Sequence, residues 1–274
     1  SQHTAASTAG ELHPGQKVGR YTLIDEAGRG GFGRVWQVED AKLGRRIALK
    51  QMSPHVARNE DLRRRFIAEA RVSARLEHPG VVPVYDLDQL DEIHPYYTMK
   101  LVKGETLDGA IARFHQLRLP SAPTSHSLEF QKLLGVFVSI CRTVEYAHAH
   151  NVIHRDLKPQ NIILGDYGET IVLDWGLAKV FQPQTESAER GADSSIIASL
   201  DTGQTQPGSV KGTPIYMSPE QAGGRNDLVT PRTDIYALGV ILYQLLTGTI
   251  PFAGHSTVEV LEKVRHGRFA SPRS

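Results

Sequence analysis

Hydrophobic positions along the chain follow two regimes. From Arg20 onward they come in short runs that read as strands: Tyr21-Thr22-Leu23-Ile24, then Val35-Trp36-Gln37-Val38, then Arg46-Ile47-Ala48-Leu49-Lys50. A glycine cluster and the turn signal Lys42-Leu43-Gly44 separate these runs, which predicts an antiparallel meander. Asp61 to Leu76 breaks the pattern, because Phe66, Ile67, Ala70 and Ala74 recur at helical spacing until Pro79-Gly80 stops them. Two more strands are expected, Val81 to Asp86 and Tyr96 to Leu101. Later the pattern becomes helical. Leu128 to His150 places Leu133, Phe137, Ile140, Val144 and Ala147 on one face, and Thr257 to Gly267 is a further helix-like run. Asp234 to Leu246 is apolar nearly throughout, which predicts a helix buried on all sides. Asn161 to Leu164 and Thr170 to Leu173 are strand-like runs joined by a Gly-Asp-Tyr-Gly turn. The fold class is therefore α+β, a small antiparallel sheet with one helix followed by a mostly helical part.

Residues 1–16 are small, polar and aperiodic and are expected to form a flexible tail. Gln182 to Gly212 is rich in Ser, Thr, Gln and Gly and reads as a long mobile loop. The chain has 274 residues, 31 Lys and Arg against 30 Asp and Glu, and a formal net charge of +1. So even a balance gives no hint of nucleic acid or an anionic membrane as the main partner, and no nucleic acid is expected. Arg63-Arg64-Arg65 falls within the helical pattern and reads as a solvated face. The single cysteine, Cys141, excludes an internal disulfide, fits a reducing compartment and reads as a buried structural thiol. The longest apolar stretch, Ile235 to Leu246, is interrupted by Gln244 and falls short of the roughly 20 residues a membrane span needs. The chain opens on Ser1, so it is expected to be processed or part of a longer protein. The expected location is cytoplasmic, although a longer parent could be membrane-anchored.

Candidate chemistry sharpens this outline. Gly28-Arg29-Gly30-Gly31-Phe32-Gly33-Arg34-Val35 matches G-x-G-x-x-G-x-V. Glycines let main chain approach phosphates closely, and the strand after Gly33 favours a flap over ATP rather than a dinucleotide-binding turn, which needs a helix there. Lys50 ends the next strand, where it can reach nucleotide phosphates, and Glu69 on the following helix can hold its ammonium. The strongest signal is His154-Arg155-Asp156-Leu157-Lys158-Pro159-Gln160-Asn161. Asp156 can orient an attacking hydroxyl and accept its proton, and Lys158 can neutralise a transferring phosphoryl group. Asn161 and Asp174, the latter in Asp174-Trp175-Gly176, offer oxygens of the kind Mg²⁺ prefers.

Together these motifs resemble the eukaryotic-type protein kinase family, and the matching segments run from about Arg20 to Arg268. The resemblance implies a bilobal fold, with an N-lobe over 17–102, a C-lobe over 103–274 and an activation segment over 174–220. It implies ATP with Mg²⁺, or Mn²⁺, as cofactors. It also implies that Asp156 is the base, that Asp174 is the metal aspartate and that Lys50 pairs with Glu69. The family's hinge resembles Lys100-Leu101-Val102 after a gatekeeper at Met99, with Val35 and Ala48 above the adenine and Ile163 below it. Asp234 looks like the buried aspartate that ties the catalytic loop to the large helix. Lys158, and Gly212-Thr213 before Ser218-Pro219-Glu220, resemble the serine/threonine branch, and Leu-Glu-His-Pro-Gly-Val-Val-Pro-Val-Tyr-Asp resembles bacterial members.

Three departures stand out. Trp175 replaces the family's usual Phe and is expected to pack under the helix bearing Glu69. Ser218 replaces the usual Ala before Pro-Glu. The chain also stops at Ser274, where the family continues, which is expected to leave apolar surface exposed and Glu220 without its usual arginine. Arg155 sits where the family often binds an activation-segment phosphate, and Ser194, Ser195, Ser199, Thr202, Thr205 and Ser209 are candidate acceptors. The expected activity is transfer of phosphate from ATP to Ser/Thr hydroxyls of protein substrates, with autophosphorylation of the activation segment and self-association for trans-phosphorylation. The competing readings are a pseudokinase or nucleotide-binding scaffold and, further off, a small-molecule phosphotransferase.

Overall fold

The computed structural model describes residues 12–30, 33–117, 128–175, 178–180, 214–254 and 256–272. The chain divides into two compact units, Ser1–Glu77 with Val82–Val102, and His78–Val81 with Lys103–Ser274.

The first unit is built on one antiparallel sheet. Its strands are β1 (Lys17–Val18), β2 (Tyr21–Gly30), β3 (Gly33–Asp40), β4 (Arg45–Met52), β5 (Val84–Gln89) and β6 (Pro95–Met99), in the order β1-β2-β3-β4-β6-β5. Side chains alternate between its faces. One set gathers Leu12, Val18, Tyr21, Leu23, Trp36, Val38, Ile47, Leu49 and Tyr96 into a core. The other set, Met52 and Tyr97, packs with Ala57, Phe66 and Ala70 from the helices α1 (Pro54–Ala57) and α2 (Glu60–Arg75). Asn59 caps α2 by accepting the Leu62 N–H, and Glu60 and Asp61 place negative charge at the positive end of the helix dipole.

The structure differs from the expected tail and strands. Leu12 is buried in the core, and the Gly15 N–H donates to Leu23 O at 2.8 Å, so ordered packing begins ahead of residue 17. The strand expected from Val81 begins at Val84, because Val81 bridges to Val172 in the second unit's own framework. The strand expected to reach Leu101 ends at Met99.

The second unit carries α3 (Leu107–Leu117), α4 (Leu128–Ala149), α5 (Pro219–Ala222), α6 (Pro231–Thr247) and α7 (Thr257–His266). Its small sheet runs β10 (Thr170–Val172), β9 (Ile162–Gly165), β7 (Gly104–Thr106), and β8 (Val152–Ile153) pairs with β11 (Lys179–Val180). Pro231 starts α6, and Thr230 with Thr233 closes a capping box there. The helix is not buried all round. Its Ala237, Ile241 and Leu245 are in the core, but Ile235 is 57% and Leu246 41% exposed, so one stripe faces outward. Glu220 accepts a hydrogen bond from the buried Thr233 hydroxyl at 2.7 Å. No helix among the described residues is long and apolar enough to cross a membrane.

Gly80 shows how closely the second unit is packed. Its carbonyl accepts the Val172 N–H at 2.8 Å, and a Cβ there would lie 2.1 Å from Thr143 Oγ1 on α4. Gly80→Ala is therefore expected to destabilise the protein by about 1–3 kcal/mol. Thr143→Ala in the same chain should recover part of that loss, because it removes the clashing oxygen. Urea unfolding of the single and double variants checks this, and additive losses would refute it.

Candidate active site

The first unit arranges its share of the site around Lys50. Lys50 lies near the end of β4, opposite Val35 on β3 and Tyr97 on β6. Its Nζ meets Glu69 Oε1 at 2.5 Å, so the expected pair is formed. Glu69 is buried on α2, one helical turn after Phe66, and the Tyr97 hydroxyl donates to the same Oε1 at 2.8 Å. Ala48, two residues before Lys50 and fully buried, pairs with Met99 at the end of β6. The Lys100 N–H donates to Pro83 O at 3.1 Å, and Val102 is half-buried two residues on.

Gly28, Gly30 and Gly33 lie on the β2–β3 hairpin, where Gly28 faces Val35 and Gly30 faces Gly33. A Cβ at Gly33 would fall 2.0 Å from Gln51 O, so only glycine lets β3 lie this close to β4. Glu26 braces the root of the hairpin. The Arg29 guanidinium bonded to it at 2.9 Å holds its carboxyl below the ordinary range.

The second unit arranges its share around a buried carboxylate. Asp234 is 1% exposed on α6. Its Oδ2 accepts the His154 N–H at 2.8 Å and His148 Nε2–H at 2.7 Å, and its Oδ1 accepts the Arg155 N–H at 2.8 Å. These bonds fix Arg155 at φ +71, a left-handed conformation that non-glycine residues rarely adopt. The carbonyl of the same residue is held too, by Gln221 Nε2 at 2.8 Å, while Gln221 Oε1 accepts the Ser218 N–H. The next residue is Asp156.

Around Asp156 the expected residues come together. Lys158 Nζ lies 2.8 Å from Asp156 Oδ2, and Asn161 Nδ2 donates to Asp156 O at 3.0 Å. The Leu173 N–H donates to Asn161 O at 2.7 Å, which brings Asp174, the next residue, to the loop. Asp174 is exposed and also has positive φ, at +67. His154 joins the two stretches. Its Nε2–H donates to Leu173 O at 2.9 Å and its Nδ1 accepts the Asp156 N–H at 3.2 Å, an arrangement that fixes one ring tautomer. Trp175 is buried against the His154 ring at 4.6 Å and donates from Nε1 to Val172 O. Ile163 is half-buried on β9, opposite Thr106 and Ile171. The arrangement can accept a proton at Asp156, present a cation at Lys158 and offer hard oxygens from Asn161 and Asp174. The candidate acceptors from Ser194 to Ser209 lie outside the described residues.

Three participants carry no motif signal. Tyr97 reads as one more apolar strand residue, His148 as a residue on a helix flank, and Gln221 as a polar residue after Pro-Glu. Each makes a long-range hydrogen bond.

The sequence matches the family described as "Protein kinase domain" over residues 21–273. It is 40% identical over 233 residues to the serine/threonine-protein kinase PknD of Chlamydia caviae, covering 85% of this chain and 25% of that protein. It is 41% identical over 238 residues to PknD of Chlamydia muridarum, with the same coverage. PknD of Chlamydia felis is 40% identical over 233 residues, covering 85% of this chain and 24% of that protein. The chain thus spans about a quarter of the length of the curated relatives it matches. With a family match over nearly its whole length, the chain belongs to the protein kinase family.

Proposed function

We propose that this domain transfers the γ-phosphoryl group of ATP to serine or threonine hydroxyls of proteins. The observation that carries the reading is the Asp156–Lys158 pair, 2.8 Å apart on a loop whose strained neighbour Arg155 is held at both its N–H and its carbonyl. Phosphoryl transfer needs positioning and charge stabilisation more than covalent help, and a rigid loop supplies both. Asp156 orients the acceptor hydroxyl and takes its proton, and Lys158 meets the negative charge of the phosphoryl group. Lys50, held by Glu69, binds the α- and β-phosphates under the glycine hairpin of Gly28, Gly30 and Gly33. Val35, Ala48, Met99, Lys100 and Val102 take the adenine.

The donor set suits Mg²⁺ or Mn²⁺. Asn161 commits its amide nitrogen to Asp156 O, which leaves Oδ1 as the remaining donor, and Asp174 adds a carboxylate. When bound, the metal neutralises charge on the phosphates. We place the reaction in the cytoplasm, where ATP is available. Autophosphorylation between Asp174 and Glu220, in trans between two copies, belongs to the same reading. Mass spectrometry after incubation with ATP should find phosphate in that segment, and an unmodified segment would remove this part.

Asp156→Asn should lower transfer about 10²–10⁴-fold while ATP binding is kept. Radiolabelled ATP with a Ser/Thr-rich protein, beside calorimetry, measures both. Binding without transfer by the parent would favour a nucleotide-binding scaffold. The support of the loop can be tested separately. Gln221→Ala should lower kcat by about 10-fold, the worth of one hydrogen bond beside the reacting group, with KM for ATP little changed. A change confined to KM would count against the loop as the point of action.

A further inference from the structure

The Lys50–Glu69 pair has a third member. Tyr97 faces Lys50 across the β4–β6 ladder, and both the Lys50 ammonium and the Tyr97 hydroxyl reach Glu69 Oε1, at 2.5 and 2.8 Å. Tyr97 is 3% exposed and Glu69 7%. Water therefore has little access to that oxygen, and protein donors must replace its hydration. The Tyr97 ring also touches α2 a second time, with its centroid 5.2 Å from that of Phe66. Phe66 and Glu69 are one helical turn apart, so they share a helix face. A single side chain on the sheet thus grips α2 at an apolar point and at a polar one.

We infer that Tyr97 is a positioning residue for phosphoryl transfer, its hydroxyl holding the Glu69 carboxylate, and with it α2, in the place where Glu69 orients Lys50. A carboxylate held by one flexible ammonium can swing with the lysine chain. A second donor from a rigid aromatic ring on a central strand fixes its direction. The proton also stays where the role needs it, because burial pushes the Tyr97 phenol well above its ordinary range and keeps it a donor. The catalytic consequence rests on the kinase reading above, whereas the positioning itself does not.

The test is Tyr97→Phe, which keeps the ring against Phe66 and removes only the hydroxyl, made in the parent chain and in Glu69→Ala. Two quantities are read: kcat/KM for ATP, and the rate at which an amine-reactive ester acylates Lys50, followed by peptide mass spectrometry. In the parent, Tyr97→Phe should lower kcat/KM about 10-fold and speed Lys50 acylation several-fold. In Glu69→Ala the same substitution should speed acylation less than in the parent, because the Glu69 acceptor is gone and only the direct hydrogen bond between Tyr97 and Lys50 is left to lose. An acylation rate unchanged by Tyr97→Phe, or an increase of equal size in both backgrounds, would overturn the inference and leave Tyr97 a packing residue. Phe66→Leu is the packing control, expected to lower the thermal midpoint without altering Lys50 acylation. Nuclear magnetic resonance of the parent with ring-labelled tyrosine needs no Tyr97 variant and so holds even where Tyr97→Phe does not fold. A slowly exchanging Tyr97 hydroxyl proton, lost in Glu69→Ala, supports the contact, and its absence from the parent refutes it. A parent that shows this proton and the acylation pattern but transfers no phosphate would remove the kinase reading and leave the role of Tyr97 standing.

Discussion

A carboxylate with 1% exposure holds the His154–Asn161 loop together. Asp234 accepts from the His154 N–H, the Arg155 N–H and the His148 ring, all at 2.7–2.8 Å. Burying a carboxylate is costly unless its lone pairs are taken up, so these donors and the acid depend on one another. Remove the acid, and the chain has no reason to keep Arg155 at φ +71. A residue in that conformation costs of order 1–3 kcal/mol and persists only where its surroundings over-determine it. Here they do, since Gln221 holds the carbonyl of the same residue. The direction in which Asp156 leaves the loop follows from the pair of clamps.

Gln221 gives this a further consequence. It belongs to α5, which directly follows Ser218, and its amide ties that stretch together, accepting the Ser218 N–H at one end and donating to Arg155 O at the other. The Ser218–Ala222 turn is thereby tied to the residue beside Asp156. One amide group bridges the two stretches. The first unit uses the same device with different chemistry. There the buried acid is Glu69, and its donors come from two neighbouring strands and not from a loop.

The parts of the site that depend on local order were readable in the sequence. His154 to Asn161 is one continuous run, and the structure closes it with hydrogen bonds among its own members, such as Lys158 to Asp156 and Asn161 to Asp156 O. The helices Glu60–Arg75 and Leu128–Ala149 differ from the patterned runs by no more than one residue at either end, within the usual fraying. Contacts set by the far side of the fold were not readable. Val81 has the composition of a strand start, yet it bridges to Val172 and so leaves the strand to begin at Val84. Leu12 sits in a polar, aperiodic stretch, and only the core it enters gives it a place. Helix α6 is apolar on every side, but hydrophobicity alone does not say which stripe is covered, and Ile235 and Leu246 face outward.

The residues that pattern reading missed share a physical reason. Tyr97, His148 and Gln221 each contribute one polar group on an otherwise unremarked side chain, and each bonds to a partner far away in sequence. Hydrophobic periodicity treats Tyr97 as core, and correctly so, because the ring is buried against Phe66. What periodicity cannot weigh is the hydroxyl, a single donor whose value depends on whether a buried acceptor lies within reach. Glu69 supplies that acceptor from a helix, and Lys50 sits opposite Tyr97 on the neighbouring strand. Two motif residues and one unmarked tyrosine therefore form a single electrostatic unit. The motif identifies which residues carry the chemistry, and buried long-range donors determine how firmly those residues are aimed.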